Sequence, residues 1–137
     1  MDCDYKCMLS DGRAGFPEFL EAAEGFLDRA GAPSDVTTKV MIVLDELVSN
    51  ILDHGSAGQI TLRLHVVRGA VTAELTDNGA AFDPLSLPDP DTSLSVEDRP
   101  VGGLGIHIVR KLMDLVEYSH DGNCNRLRFA KNYPVES

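Results

Sequence analysis

The feature that most constrains the fold of this chain is a change of hydrophobic period near residue 55. From Val36 to Ile51 the apolar residues recur at helical spacing and form one broad face. After the change, apolar and polar residues alternate in two runs, 60–66 and 71–76, joined by the tight turn Arg68-Gly69. The first pattern predicts a long amphipathic helix and the second a β-hairpin, so the chain must pack helix against sheet.

The same periodicity arguments place the remaining elements. Ser34 is the predicted N-cap of the long helix, and Gly55 is its predicted left-handed C-cap. Because hairpins dominate, we expect a mostly antiparallel sheet with helices on one face, which is a two-layer α/β sandwich in a single domain over residues 1–137. The predicted order is strand 3–9, helix 16–30, helix 34–55, strands 60–66 and 71–76, loop 80–101, helix 105–115 and strands 116–120 and 126–131.

Charge and composition exclude several functional classes. The formal net charge is −10 and apolar residues make up 43% of the chain, so we expect a globular protein that does not bind nucleic acid directly. The polar start MDCDYKCMLSDG does not fit a signal peptide, and no apolar run reaches the ~20 residues of a membrane span. Cys3, Cys7 and Cys124 match no zinc spacing, and reduced thiols in the cytoplasm are expected.

Three polar residues, Glu46, Asn50 and Asp53, lie along one edge of the long helix. At ~100° per residue, Glu46 and Asn50 are about 40° apart around the helix axis. The simpler interpretation is a solvated helix edge. In the functional interpretation, the neutral Asn50 oxygen suits Mg²⁺, which takes few protein ligands beside phosphates, and Glu46 is a candidate general base.

The second hairpin strand ends in Asp77-Asn78-Gly79, which also has two interpretations. Asp-Asn-Gly is strong turn chemistry, so the motif predicts a plain turn. A carboxylate at this position could also accept a hydrogen bond from the exocyclic amine of adenine. Gly79 would then let the backbone approach a flat ring closely.

A third motif, VGGLGIHIVRKLMD, opens the helix after the long loop with Gly102, Gly103 and Gly105. Glycines at a helix start expose backbone N–H groups, and the helix dipole favours an anion there. The motif lacks the further glycine and the preceding strand of a dinucleotide fingerprint, and no Walker-type GK[ST] is present. Taken alone, it indicates a weak anion site.

The three motifs in this order resemble the GHKL ATPase superfamily, whose boxes are E-x-x-x-N, D-x-G and G-x-G. The resemblance covers Phe16 to Lys131, and DNGAAFDP, GGLGIHIVRKLMD and NRLRFAK are most similar to the anti-sigma factor serine/threonine kinases. One departure is Ala81, which stands where the superfamily pattern has a second glycine.

The resemblance implies a role for each motif residue. It implies that Asn50 binds the Mg²⁺ that bridges the ATP phosphates, that Glu46 acts as the base, and that Asp77 holds the adenine amine beside Gly79. The loop 80–101 would form a lid over the nucleotide. The residues implied at the phosphate end are Gly103, Leu104 and Gly105, with Arg99 at the end of the lid.

The implied function is an ATP–Mg²⁺-dependent protein kinase that phosphorylates a serine or threonine on a small antagonist protein. The resemblance further implies that the protein binds a sigma factor in its alternative state and forms a homodimer. An alternative is a nucleotide-gated binding module of the same fold without kinase activity. A third interpretation is a plain interaction domain whose three motifs are only turns and caps.

Overall fold

The computed structural model describes residues 2–55, 58–83, 85 and 103–135. Three helices and five strands account for most of this part of the chain. A short 3₁₀ turn, Gly12–Gly15, precedes the first helix. The elements are β1 (Cys3–Leu9), α1 (Phe16–Arg29), α2 (Ser34–His54), β2 (Ile60–Val67), β3 (Ala70–Asp77), α3 (Gly103–Leu112), β4 (Leu115–Asp121) and β5 (Cys124–Asn132).

The five strands form one sheet in the order β1-β2-β3-β5-β4, and each neighbouring pair is antiparallel. Strand β3 is therefore central, with β2 on one side and β5 on the other. The register places Asp77, the last residue of β3, opposite Ile60 of β2 and Asn125 of β5. Asp77, at the end of the β2–β3 hairpin, and Asn125, near the start of β5, therefore lie side by side at one end of the strands.

One face of the sheet packs against the helices and forms the hydrophobic core. The alternation predicted from the sequence is present, because every second residue of β2 and β3 is buried, as are Asn125, Leu127 and Phe129 in β5. Helix α2 contributes the largest buried set among the helices. Its buried residues are Val36, Thr37, Val40, Val43, Leu44, Leu47, Val48, Asn50 and Ile51.

The opposite face of the sheet carries charged side chains in place of a second helical layer. Glu74 on β3 forms ion pairs with Arg63 at 3.7 Å, Arg126 at 3.7 Å and Arg128 at 3.9 Å. This polar face has no need of a covering layer, which confirms the predicted two-layer sandwich. Within the residues that the structure describes, no helix is long and apolar enough to cross a membrane.

The predicted N-cap of α2 is wrong, and Gly55 is the C-cap as predicted but is not left-handed. Ser34 is the first helical residue, Pro33 occupies the cap position, and no side-chain cap hydrogen bond forms there. Gly55 is extended, with φ −89° and ψ 178°, and its N–H donates to the Ile51 carbonyl at 2.9 Å. A Cβ on Gly55 would come within 2.7 Å of that carbonyl oxygen, so close approach of the backbone explains the glycine.

The third helix begins and ends earlier than the predicted bounds 105–115. It starts at Gly103 and ends at Leu112. The Asp114 N–H donates to the Ala130 carbonyl of β5 at 2.9 Å, which draws the chain into the sheet before a further helical turn forms. In contrast, the predicted end of α1 is confirmed, since Gly31 has φ +85°.

Candidate functional site

Helix α2 carries a polar pair at the boundary of its buried face. The Asn50 Nδ2 atom donates to Glu46 Oε1 at 3.2 Å, across one helical turn. Asn50 is 2% exposed and Glu46 is partly buried. The interpretation as a solvated helix edge is therefore wrong at Asn50. A buried amide is costly without partners, so this residue requires a polar environment beside it.

The environment of Glu46 favours its neutral form. Burial is the largest cause and raises the pKa of Glu46 above its ordinary value. The hydrogen bond from Asn50 lowers the pKa of Glu46, while the nearby carboxylates Asp45 and Asp53 raise it. A carboxylate whose pKa is shifted toward neutrality and whose oxygen is fixed by a donor is suited to accept a proton.

Asp53, the third residue of the predicted polar strip, is engaged elsewhere. Its Oδ1 atom pairs with Arg13 of the 3₁₀ turn before α1. Arg13 also donates to Ser49 Oγ at 3.4 Å and lies over the Phe16 ring at 5.6 Å from its centroid. The structure therefore leaves Glu46 and Asn50 as the pair available to a ligand.

At the end of β3, Asp77 is buried to 8% exposure and has two distinct oxygens. The Oδ1 atom accepts the Gly79 N–H at 2.9 Å, which is the predicted turn, and also accepts from Asn125 Nδ2 at 2.9 Å. Among the described residues, none donates to Oδ2. One Asp77 side chain therefore makes the turn and keeps a second oxygen that takes no hydrogen bond from the described residues.

Sequence reasoning did not assign a role to Asn125, which is 4% exposed on β5. Besides Asp77, its Nδ2 atom reaches the carbonyls of Gly79 at 3.3 Å and Ala80 at 2.8 Å. Its Oδ1 atom accepts the Phe82 N–H at 3.1 Å and the hydroxyl of Tyr118. The sequence did contain a signal for Asn125, because it is a polar residue on the core-facing side of β5, in alternation with Leu127 and Phe129.

Contacts join the segment after β3 to helices α2 and α3. The His54 ring at the end of α2 lies 6.2 Å from the Phe82 ring, which follows Asp77 by five residues. Arg110 of α3 donates to the Leu85 carbonyl at 3.0 Å. Helix α2, helix α3 and the segment after β3 therefore converge on one side of the core.

The glycine-opened helix lies beside this junction. Gly103, Leu104 and Gly105 form the first turn of α3, so a helix opened by glycines is present, with its start two residues before the predicted one. A cavity of about 260 Å³ between α2 and α3 is lined by Ile42, Asp45, Glu46 and Ile108. The predicted phosphate contact Arg99 and most of the predicted lid 80–101 lie outside the described residues.

Other cavities do not coincide with this junction. One of about 520 Å³ lies on the charged sheet face between Tyr5, Arg63 and Glu74, and contains none of the predicted site residues. Asp77 borders a smaller cavity of about 320 Å³ with Gln59 and Cys124. Within the described ranges, no group of three or more His, Cys, Asp or Glu side chains is arranged to hold a metal ion.

The fold and the order of these motifs agree with a known class of protein. The profile of the family described as histidine kinase-like ATPase domain matches residues 14–131, so the chain belongs to that family. A solved structure of the Acinetobacter baumannii histidine kinase AdeS aligns with a TM-score of 0.51 at 16% identity. The alignment covers 93% of this chain and 67% of that one, and it shows the fold alone.

Curated relatives narrow the class further. The chain is 32% identical over 97 residues to the serine/threonine-protein kinase BtrW of Bordetella bronchiseptica, which covers 68% of each protein. It is 31% identical over 103 residues to the serine-protein kinase RsbW of Halalkalibacterium halodurans, and 30% identical over 104 residues to RsbW of Bacillus cereus. These alignments cover 71% of this chain, and 64% and 65% of the two RsbW proteins.

The predicted superfamily, fold and enzyme class are thereby confirmed: the chain belongs to the histidine kinase-like ATPase domain family, and the relatives to which it is similar are named serine or serine/threonine protein kinases. These comparisons align long segments of the proteins and do not test single residues. The individual roles of Glu46, Asn50, Asp77 and the α3 glycines stay predictions that rest on the geometry above.

Proposed function

We propose that this protein is an ATP–Mg²⁺-dependent serine/threonine kinase that phosphorylates a small antagonist protein and binds a sigma factor in its alternative state. The observation that carries the proposal is the Glu46–Asn50 pair, a partly buried carboxylate with a raised pKa, joined to a buried amide. The names of the curated relatives support the same reaction class. A cytoplasmic homodimer is part of the proposal.

Nucleotide selectivity is assigned to Asp77. Its Oδ1 atom is held by two donors, so the remaining oxygen, Oδ2, is oriented to accept the exocyclic amine of adenine. Guanine has a carbonyl oxygen at that position and would meet a carboxylate with no proton between them. The proposal therefore includes a preference for ATP over GTP.

The phosphate end of the site is assigned to Asn50 and to the first turn of α3. The Asn50 Oδ1 atom accepts no hydrogen bond from a described residue, and a neutral oxygen of this kind fits Mg²⁺ with phosphates and water completing the shell. When bound, the ion neutralises charge on the β- and γ-phosphates. The N–H groups in the first turn of α3, near Gly103 and Gly105, have no partner within the helix and suit the phosphate oxygens.

Glu46 is assigned as the base. As the substrate hydroxyl oxygen bonds to the γ-phosphorus, the bond from that phosphorus to the bridging β–γ oxygen breaks and ADP leaves. The hydroxyl proton passes to a Glu46 carboxylate oxygen. Asn50 holds Oε1 at 3.2 Å, so Oε2 is the oxygen left for this proton.

A specific observation favours a second candidate, a nucleotide-gated binding module without phosphoryl transfer. The segment after β3 is tied to α2 through the His54–Phe82 contact and to α3 through the Arg110–Leu85 hydrogen bond. A nucleotide at Asp77 could therefore alter the surface presented by this segment without any chemistry. The plain interaction domain is disfavoured, because it does not explain a buried Asn50.

Two measurements on the wild-type protein separate these functions. Calorimetry with ATP and Mg²⁺ is expected to show binding, and absence of binding would leave only the interaction domain. Transfer of labelled γ-phosphate to an antagonist encoded in the same gene neighbourhood is then expected. A protein that binds ATP and that antagonist, but transfers no phosphate, would support the nucleotide-gated module instead.

A further inference from the structure

The side chain of Asn125 joins three parts of the molecule that are distant in sequence. From β5 it contacts Asp77 at the end of β3, the backbone of residues 79–82 and Tyr118 on β4. Each polar atom of the Asn125 amide is used at least twice. Its neighbours on the same face of the strand, Leu127 and Phe129, are apolar. A polar residue at this core position is explained only by what it holds in place.

We infer that Asn125 is a positioning residue for nucleotide recognition, which fixes Asp77 together with the start of the segment after β3. The inference rests on the proposed function and deepens it. By donating to Oδ1 of Asp77, the Asn125 amide leaves Oδ2 as the carboxylate oxygen that faces the nucleotide base. The same amide nitrogen donates to the Ala80 carbonyl at 2.8 Å, so one side chain holds both the Asp77 carboxylate and the backbone that follows it.

The partners of the Asn125 amide determine which way it points. The Phe82 N–H and the Tyr118 hydroxyl donate to Oδ1, while the Gly79 and Ala80 carbonyls accept from Nδ2. A reversed amide would place its N–H groups against the Phe82 N–H and its oxygen against two carbonyls. Burial raises the pKa of Tyr118, and Asp83 and Asp77 act in the same direction. The phenol therefore keeps its proton at neutral pH and remains a donor. Nδ2 is thereby directed at Asp77.

The substitution Asn125→Asp tests this role because it keeps the shape and the Oδ1 acceptor but replaces the donor. At about pH 8 the introduced carboxylate faces Asp77 with a like charge, and ATP affinity is expected to fall about 10- to 100-fold. Near pH 6 the two carboxyls are expected to share one proton, which restores a donor toward Asp77. The charged or titratable groups that face this position are Asp77, Asp83 and Tyr118.

The matched control is Asn78→Asp in the adjoining turn. Asn78 Oδ1 accepts the N–H groups of Gly58 and Gln59 at 3.1 and 3.2 Å, and the isosteric change keeps that acceptor. Calorimetry with Mg²⁺-ATP and Mg²⁺-GTP at both pH values is the measurement. We expect Asn125→Asp to narrow the preference for ATP at about pH 8 and to recover it near pH 6, while the control follows wild type.

The outcomes separate this inference from the proposed function. A wild type that binds no ATP would overturn both. A wild type that binds ATP, with an Asn125→Asp variant of the same affinity, base preference and pH profile, would overturn only the positioning role. If Asn125→Asp does not fold, Tyr118→Phe tests the positioning role in its place, because it removes one donor from Asn125 Oδ1. That variant should show a reduced preference for ATP over GTP, and an unchanged preference would refute the inference.

Discussion

Replacing Asp77 by asparagine should weaken ATP and strengthen GTP, for reasons visible in its hydrogen bonds. The Oδ1 atom accepts from Gly79 N–H and Asn125 Nδ2, each at 2.9 Å. In the Asp77→Asn variant the amide oxygen must keep this position, because an amide nitrogen there would face two donors. The amide nitrogen is therefore directed to where Oδ2 stood, toward the nucleotide base.

The size of the effect follows from this fixed orientation. An adenine amine would then meet a donor where it had an acceptor, and a buried donor left unpaired costs about 1–3 kcal/mol. That range corresponds to roughly a 5- to 150-fold loss of ATP affinity. The guanine carbonyl gains a donor at the same place, so the preference between ATP and GTP should shift by more than the ATP loss alone.

Isothermal calorimetry with Mg²⁺-ATP and Mg²⁺-GTP measures the loss of ATP affinity and the gain of GTP affinity directly. Asp114→Asn is a matched control, since Asp114 also accepts a backbone N–H, from Asn132 at 2.7 Å, but lies at the junction of α3 and β4. We expect wild-type affinities in the control. Equal affinity of wild type and Asp77→Asn for ATP, with no gain for GTP, would mean that Asp77 serves only the turn.

The variant Asn50→Ala should fold but lose Mg²⁺-dependent ATP binding, because Asn50 supplies the proposed protein oxygen for the ion; calorimetry with and without Mg²⁺ checks this, and unchanged affinity would remove Asn50 from the site. Burial raises the pKa of Glu46, so its ionisation destabilises the folded state progressively as the pH rises from the ordinary pKa through the raised one. Glu46→Gln should therefore be more stable than wild type at neutral pH, and this difference in the free energy of unfolding should vanish below the ordinary pKa of 4.5. Urea unfolding across pH measures it. A stability difference that does not change with pH would contradict the assigned environment of Glu46. Gly55→Ala should destabilise the protein by about 1–3 kcal/mol, because its Cβ would lie 2.7 Å from the Ile51 carbonyl oxygen, whereas Gly58→Ala meets nothing within 4 Å and should be near neutral.

Hydrophobic periodicity was sufficient to predict the architecture, because each period corresponds to one geometry. The alternation in 60–66 and 71–76 became β2 and β3 with the same residues buried, and the turn Arg68-Gly69 joins them as predicted. Errors occurred at the ends of elements. Gly55 is required by its approach to a carbonyl four residues earlier, and α3 ends early because Asp114 bonds to β5.

The candidate site was predictable only where its partners are close in sequence. Glu46 and Asn50 are one helical turn apart, so their pairing follows from helix geometry. The partners of Asp77 and Asp53 are 48 and 40 residues away, respectively, and depend on how β5 and the 3₁₀ turn pack. Arg13 therefore emerged only from the three-dimensional arrangement, and for Asn125 the sequence offered only a polar residue at a core-facing position of β5.

The central claim is that Glu46 accepts the proton during phosphoryl transfer from ATP. Its most direct test is transfer of labelled γ-phosphate to the candidate antagonist by wild type and by Glu46→Gln, with ATP affinity measured in parallel. We predict that ATP affinity is retained in the variant, because Asn50, Asp77 and the α3 amides are unchanged. Transfer should fall by about 10²- to 10⁴-fold, which is the usual contribution of a positioned base. Transfer by the variant at the wild-type rate would contradict the assignment of Glu46.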